Sequence, residues 1–143
     1  MAKNPQSAGN RRKARECALQ ILYQMDVSEH SAEEALAAFW QNFDPEVDVK
    51  DFDTELVFGV SARQTEIDER IQQSSHHWKL ERMAKVDRNV LRLAVFEILH
   101  RDDIPKKVSL NEAIEIAKRF GTEDSGAFIN GILDHISATV TKP

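Results

Sequence analysis

The stretch VDRNVLRLAVFEIL, residues 86–99, decides the predicted fold of this chain. Nine of its fourteen residues are apolar, and on a helical wheel they spread nearly all the way round instead of forming one stripe. Because a helix that is apolar on every side is a buried one, we predict a central helix here. Asp87 and Glu97 interrupt the apolar surface, and a buried carboxylate is costly without a partner. Each is therefore expected at an interhelical contact or at an interface.

Apolar residues recur at intervals of three and four on both sides of this helix, which predicts further helices. Before the central helix, they span 11–25, then from a Ser31–Glu34 capping box to Asp44-Pro45, and then 51–75, with a short helical turn at 80–83. After it, one helix runs from a Ser109–Glu112 capping box to a stop at Gly121, and a last helix starts at 122–125. Gly131 lies in the middle of the last helix and is expected to allow tight packing. Strand patterns are nearly absent, so the predicted fold class is all-α, with six or seven helices.

The polar segment 1–10 shows no periodicity and is predicted to be disordered, whereas 11–143 is predicted to form one domain. The net charge of the whole chain is −5, but residues 1–15 contain five basic side chains and no acid: Lys3, Arg11, Arg12, Lys13 and Arg15. A basic arm on an acidic body is typical of a protein that meets a polyanion at one end. The alternative at this stage is a solvated tail that only keeps the protein soluble.

The sequence gives no catalytic constellation, cofactor motif or metal site. Cys17 is the only cysteine and is expected to be a small packing residue. The segment 121–126 resembles the start of a phosphate loop, but Ala127 and Phe128 stand where Lys and Ser/Thr are required. His76 and His77 do not form an HExxH zinc site, and sharing of a cation by His77 and Glu81 is a weak alternative. We therefore expect a binding protein rather than an enzyme.

No apolar run approaches the length of a membrane span, and the N-terminus lacks the apolar core of a signal peptide. A single cysteine suits a reducing compartment. These features predict a soluble protein of the cytoplasm without a membrane partner.

The basic residues of the segment 11–15 remain as the candidate site. In a helix that begins at Arg11 they occupy the first turn, where the helix dipole disfavours cations. Something other than folding therefore favours them there, and contact with four or five phosphates is one such function. RNA bases are read by aromatic stacking as well, and Tyr23, Phe120 and Phe128 are candidates, although each is more often a core residue.

Several motifs together are similar to the bacterial transcription antitermination factors of the NusB family. They are RRKARECALQ at 11–20 with LY at 22–23, VDRNVLR at 86–92, DIP at 103–105, NEAIE at 111–115 with AK at 117–118 and FG at 120–121, and FINGILD at 128–134. The resemblance covers about 11–136. One departure is Phe96, where the family usually has Tyr before the glutamate.

The resemblance implies an all-helical fold of two packed helical bundles. It also implies binding to the boxA element of ribosomal RNA leader transcripts together with NusE, a small-subunit ribosomal protein, and indirect assembly with other Nus factors on RNA polymerase. Some relatives form homodimers. By position, the resemblance implies six RNA-binding residues, Arg11, Arg12, Lys13, Arg15, Asp124 and Phe128. It implies that Tyr23 and Asp87 lie on the NusE side, although an internal salt bridge remains an alternative for Asp87. A helical protein scaffold without direct RNA binding is the alternative function.

Overall fold

The fold is all-α, as the sequence predicted. The computed structural model describes residues 7–42 and 47–143, and within them it contains seven α-helices, one 3-10 turn and no strand. The helices are α1 Ser7–Ser28, α2 Ala32–Gln41, α3 Val47–Ala62, α4 Gln64–Ser74, α5 Lys85–His100, α6 Lys106–Phe120 and α7 Ser125–Ala138, with the 3-10 turn at Leu80–Arg82.

The chain forms two compact units, Met1–Ser61 and Ala62–Pro143. In the first unit, α1 packs against α2. The side of α1 with Ala14, Ala18, Ile21 and Leu22 is buried, as the three-and-four spacing of these residues predicted. In the second unit, α4, α6 and α7 all pack against α5.

Helix α5 is the predicted central helix, and its burial confirms the prediction from 86–99. Every residue from Asn89 to Ile98 is buried. Glu97 is 1% exposed, and its Oε1 accepts a hydrogen bond of 2.7 Å from the Ser109 hydroxyl of α6. This carboxyl therefore lies at an interhelical contact, one of the two positions expected for it.

The two predicted capping boxes have different outcomes. At α2 the box is confirmed, since Glu34 N donates to Ser31 Oγ and Ser31 N donates to Glu34 Oε1, both at 3.1 Å. At α6 the prediction is wrong, because the helix begins at Lys106 and Ser109 lies inside it. The Ser109 hydroxyl bonds to Glu97 instead of a free backbone N–H, and Pro105 precedes the helix without a side-chain cap.

The predicted single helix 51–75 is also wrong, because α3 and α4 are separate helices with Arg63 between them. Arg63 has φ −120° and ψ 20°, outside the helical range. Neither Gly nor Pro marks this break in the sequence. Helix α2 ends at Gln41, and the predicted continuation to Phe43 and Asp44-Pro45 lies outside the described residues.

Helix α1 begins at Ser7, earlier than the predicted start at Arg11, and 1–6 lie outside the described residues. The earlier start also corrects the dipole argument. Arg11 lies beyond the first turn of α1, and the unfavourable effect of the dipole on a cation falls off within that turn. Gly131 does not mark tight packing either, because a Cβ there would meet no atom within 4 Å.

Candidate nucleic-acid interface

Four cations on α1 form what we call the basic cluster: Arg11, Arg12, Lys13 and Arg15. The first three side chains are exposed, whereas Arg15 is only 4% exposed. Arg11 and Arg15 are four residues apart and therefore share one side of the helix. The cluster thus combines three accessible cations with a fourth that is almost completely covered.

The ring of Phe52, on α3, lies close to both Arg11 and Arg15. The Cζ atom of Arg11 is 4.6 Å from the centroid of the Phe52 ring, and the Cζ atom of Arg15 is 5.4 Å from it. Both distances are within the range of a cation–π interaction. The sequence predicted a helix over 51–75 but no contact between Phe52 and the basic cluster, because the two segments are distant along the chain.

Asp53, the residue after Phe52, is fully buried. Burial raises the pKa of its carboxyl from 3.8 to about 8, and the Trp40 indole partly opposes this shift. The two groups nevertheless do not meet the geometry of a hydrogen bond. Among the described residues, neither oxygen of Asp53 nor Nε1 of Trp40 has a hydrogen-bond partner.

Cys17 is buried in the same unit, as predicted. Burial, followed by the charge of Asp53, raises the pKa of its thiol to about 11. Because the thiolate is the nucleophilic form, Cys17 fits a packing role rather than a catalytic one.

Asp124 and Phe128 lie in the second unit, at the start of α7. Asp124 is exposed at the N-cap position without a side-chain cap bond, and Phe128, one turn later, is half-buried. The turn before the helix is fixed by the hydroxyl of Ser125, which accepts a bond of 2.9 Å from Thr122 N. A Cβ at Gly121 would lie 2.3 Å from that hydroxyl oxygen, so the turn requires glycine there.

Tyr23 and Val27 form an exposed pair on the C-terminal half of α1. Their side chains are 40% and 53% exposed, and they are four residues apart on one side of the helix. Exposed apolar neighbours of this kind are typical of contact surfaces. The sequence prediction included Tyr23 and missed Val27, although its spacing from Tyr23 could have indicated it.

Asp87 lies in the first turn of α5 and is half-buried. Within the part of the chain that the structure describes, its Oδ1 is buried and has no hydrogen-bond partner. A buried carboxylate oxygen without a hydrogen-bond partner is energetically costly, and a donor that reached Asp87 would lower that cost.

In the ranges 7–42 and 47–143, no three His, Cys, Asp or Glu side chains are grouped so that they could hold a metal ion. In the same ranges, no helix has both the length and the hydropathy that crossing a bilayer requires.

The fold and the basic cluster define a class of all-helical protein with a cationic helix on an acidic chain, and comparison with known proteins identifies the family. The model of the NusB family matches residues 12–138. The "Transcription antitermination protein NusB" of Myxococcus xanthus is 47% identical over 139 residues, which cover 94% of this chain and 99% of that protein.

Solved structures agree with this match. NusB of T. maritima superposes with a TM-score of 0.83 at 36% identity, covering 97% of this chain and 94% of that one. A structure of the antitermination factors NusB and NusE in complex with double-stranded RNA gives a TM-score of 0.81 at 25% identity, covering 91% and 97%. The chain belongs to the NusB family.

Proposed function

We propose that this protein is a transcription antitermination factor that binds RNA through the basic cluster. The observation that carries the proposal is the exposure of Arg11, Arg12 and Lys13 on one short segment of α1, in a chain whose net charge is −5. A local concentration of cations on a chain with a net negative charge favours contact with a polyanion at that place. Membership of a family of antitermination proteins supports the same function.

The RNA that the family resemblance implies is boxA of ribosomal RNA leader transcripts. Each phosphate contact made by the cluster releases counterions, so affinity falls as salt rises. For single-stranded RNA, three or four contacts correspond to a slope of log K against log salt of roughly −2 to −3. The related structure that contains NusB, NusE and RNA supports an RNA ligand.

Asp124 and Phe128 are proposed as additional RNA contacts at the start of α7. Phe128 is half-buried, so part of its ring is accessible for stacking on an unpaired base. Asp124 is exposed and offers acceptor oxygens to base amino groups or to a ribose hydroxyl. These residues would add recognition of bases to the backbone contacts made by the cluster.

NusE is the proposed protein partner, bound through Tyr23 and Asp87. The exposed Tyr23–Val27 pair offers an apolar contact, and Asp87, which is half-buried, offers a carboxylate to a basic side chain. Other Nus factors and RNA polymerase would be reached indirectly through this assembly. The proposal further places the protein in the cytoplasm, as a binding factor without catalytic activity.

Charge reversal at the exposed cluster tests the proposal. We expect Arg11→Glu with Arg12→Glu to weaken binding of boxA RNA at least about 100-fold, because two charge-assisted contacts are lost. The salt slope should become shallower by roughly 1.4, about 0.7 for each lost contact. Arg15 is left unchanged because reversal of a buried charge would test folding instead.

The matched control is Arg63→Glu with Lys107→Glu, which changes the net charge by the same amount at exposed positions outside the cluster. It should lower affinity only slightly, through the weaker overall field. If both double variants bind RNA equally well, the cluster is not the interface. A helical scaffold that binds proteins and not RNA would then be favoured.

A further inference from the structure

Phe52 contacts the two arginines on one side of the basic cluster. Phe52 is 6% exposed, so its ring is fixed within the packing of the first unit. Arg11 and Arg15 both place their guanidinium carbon within cation–π distance of this one ring. A buried aromatic group on α3 therefore lies against two cations on α1.

Arginine has several rotatable bonds, and ordering them during binding weakens affinity. A guanidinium stacks on an aromatic face, while its N–H donors lie in its own plane and can bind a phosphate oxygen. An aromatic platform thus restricts the cation and leaves its donors available. Arg11 is exposed and its Cζ atom lies 4.6 Å from the ring centroid, so its guanidinium contacts the ring and is also reachable from solvent.

We propose that Phe52 is a positioning residue for RNA binding, which orders Arg11, with Arg15 beside it, before the ligand arrives. This inference rests on the proposed function, since it assumes that the basic cluster contacts RNA. Within the cluster it separates two roles: Arg11 presents donors to a phosphate, and Arg15 remains covered and adds its charge next to the same ring.

The first experiment replaces the ring. In the full chain, Phe52→Leu keeps an apolar side chain but removes the aromatic face, and we expect boxA RNA to bind roughly three- to ten-fold more weakly. Phe52→Tyr retains the aromatic face, so its affinity for boxA RNA should be within about two-fold of that of the natural chain. The matched control is Phe96→Leu, because Phe96 is 7% exposed and its ring lies near His100. This control should leave RNA affinity unchanged.

A double-mutant cycle separates positioning from a general loss of packing. If Phe52 acts through Arg11, then Phe52→Leu should weaken binding by less than about two-fold once Arg11 is replaced by alanine. An equal loss in both backgrounds would overturn the positioning role.

A measurement on the unmodified protein gives a result even if Phe52→Leu does not fold. Relaxation of the Arg11 Nε–Hε group should give an order parameter above about 0.6, while the exposed Arg82 should fall below it. Equal mobility of the two groups without RNA would contradict preorganisation.

The outcomes distinguish this inference from the function on which it rests. If Arg11→Ala leaves RNA affinity unchanged, the proposed RNA interface is wrong at this residue. If Arg11→Ala weakens binding and Phe52→Leu does not, the interface stands and only the positioning role fails.

Discussion

The two units of the molecule each bury a carboxyl group, but only one of these carboxyl groups has a hydrogen-bond donor among the described residues. In the second unit, Glu97 accepts a hydrogen bond of 2.7 Å from Ser109 across the contact between α5 and α6. In the first unit, both oxygens of Asp53 lack a hydrogen-bond partner among the described residues, and burial raises the pKa of this carboxyl to about 8. A buried acid can stabilise a helix contact when a donor meets it, and it otherwise makes folding depend on pH.

The sign of that dependence follows from the two pKa values of Asp53. The pKa is about 8 in the folded chain and has its ordinary value of 3.8 in the unfolded chain, so the folded state holds more protons between these values. Stability therefore falls as pH rises from about 4 to about 8, by up to ~1.4 kcal/mol per pH unit. Below and above this window, Asp53 adds no further pH dependence.

Replacement of Asp53 gives the largest expected effect. Asp53→Asn cannot ionise, so its free energy of unfolding relative to the natural chain should rise with pH, by several kcal/mol between pH 4 and pH 8. Urea unfolding at pH 4, 6 and 8 measures this, with hydrogen exchange of the α3 amides reporting the first unit. Asp51→Asn is the control, because Asp51 is exposed on the same helix. Parallel pH profiles for Asp53→Asn and the natural chain would show that Asp53 is ionised in the folded protein.

Removal of the donor to Glu97 gives the next effect and tests the other half of the comparison. Ser109→Ala leaves a buried carboxyl oxygen without this donor, which should cost about 1–3 kcal/mol of unfolding free energy. The control is Ser61→Ala on the exposed side of α3, which accounts for the higher helix propensity of alanine. Urea unfolding of both variants gives the difference. Equal stability would mean that Glu97 is satisfied without Ser109.

These two carboxyls also show how far sequence reasoning reaches. The central helix could be predicted because its apolar residues cover every side, and the Ser31 capping box could be predicted because all its bonds are local. At Ser109 the same Ser-x-x-Glu pattern misled, since a tertiary partner uses the hydroxyl. The break at Arg63 carries no Gly or Pro signal.

The candidate site divides in the same way. The charge asymmetry in the sequence identified Arg11, Arg12 and Lys13, whose side chains the structure shows to be exposed. It could not show that Arg15 is covered, because burial is set by tertiary packing. One group beside Arg15, the Phe52 ring, is 37 positions further along the chain. Contacts of this kind are set by how α1 and α3 pack, and no local pattern encodes them.

The smallest effect on stability is expected at Gly131. Here the second unit has an entropic cost of a glycine within a helix, and no buried polar group is involved. Gly131 is inside α7, and a Cβ added there would meet no atom within 4 Å. Gly131→Ala should therefore stabilise the protein by about 0.5–1 kcal/mol, because alanine loses less backbone entropy in a helix. Unlike the gain from Asp53→Asn, this gain should be the same at pH 4 and pH 8, since no ionisable group is changed. Urea unfolding at both pH values measures this gain. Gly121→Ala is the contrasting variant. Its Cβ would lie 2.3 Å from Ser125 Oγ, so this variant should lower the free energy of unfolding. A loss of stability in Gly131→Ala would mean that α7 needs the small residue for a reason other than packing.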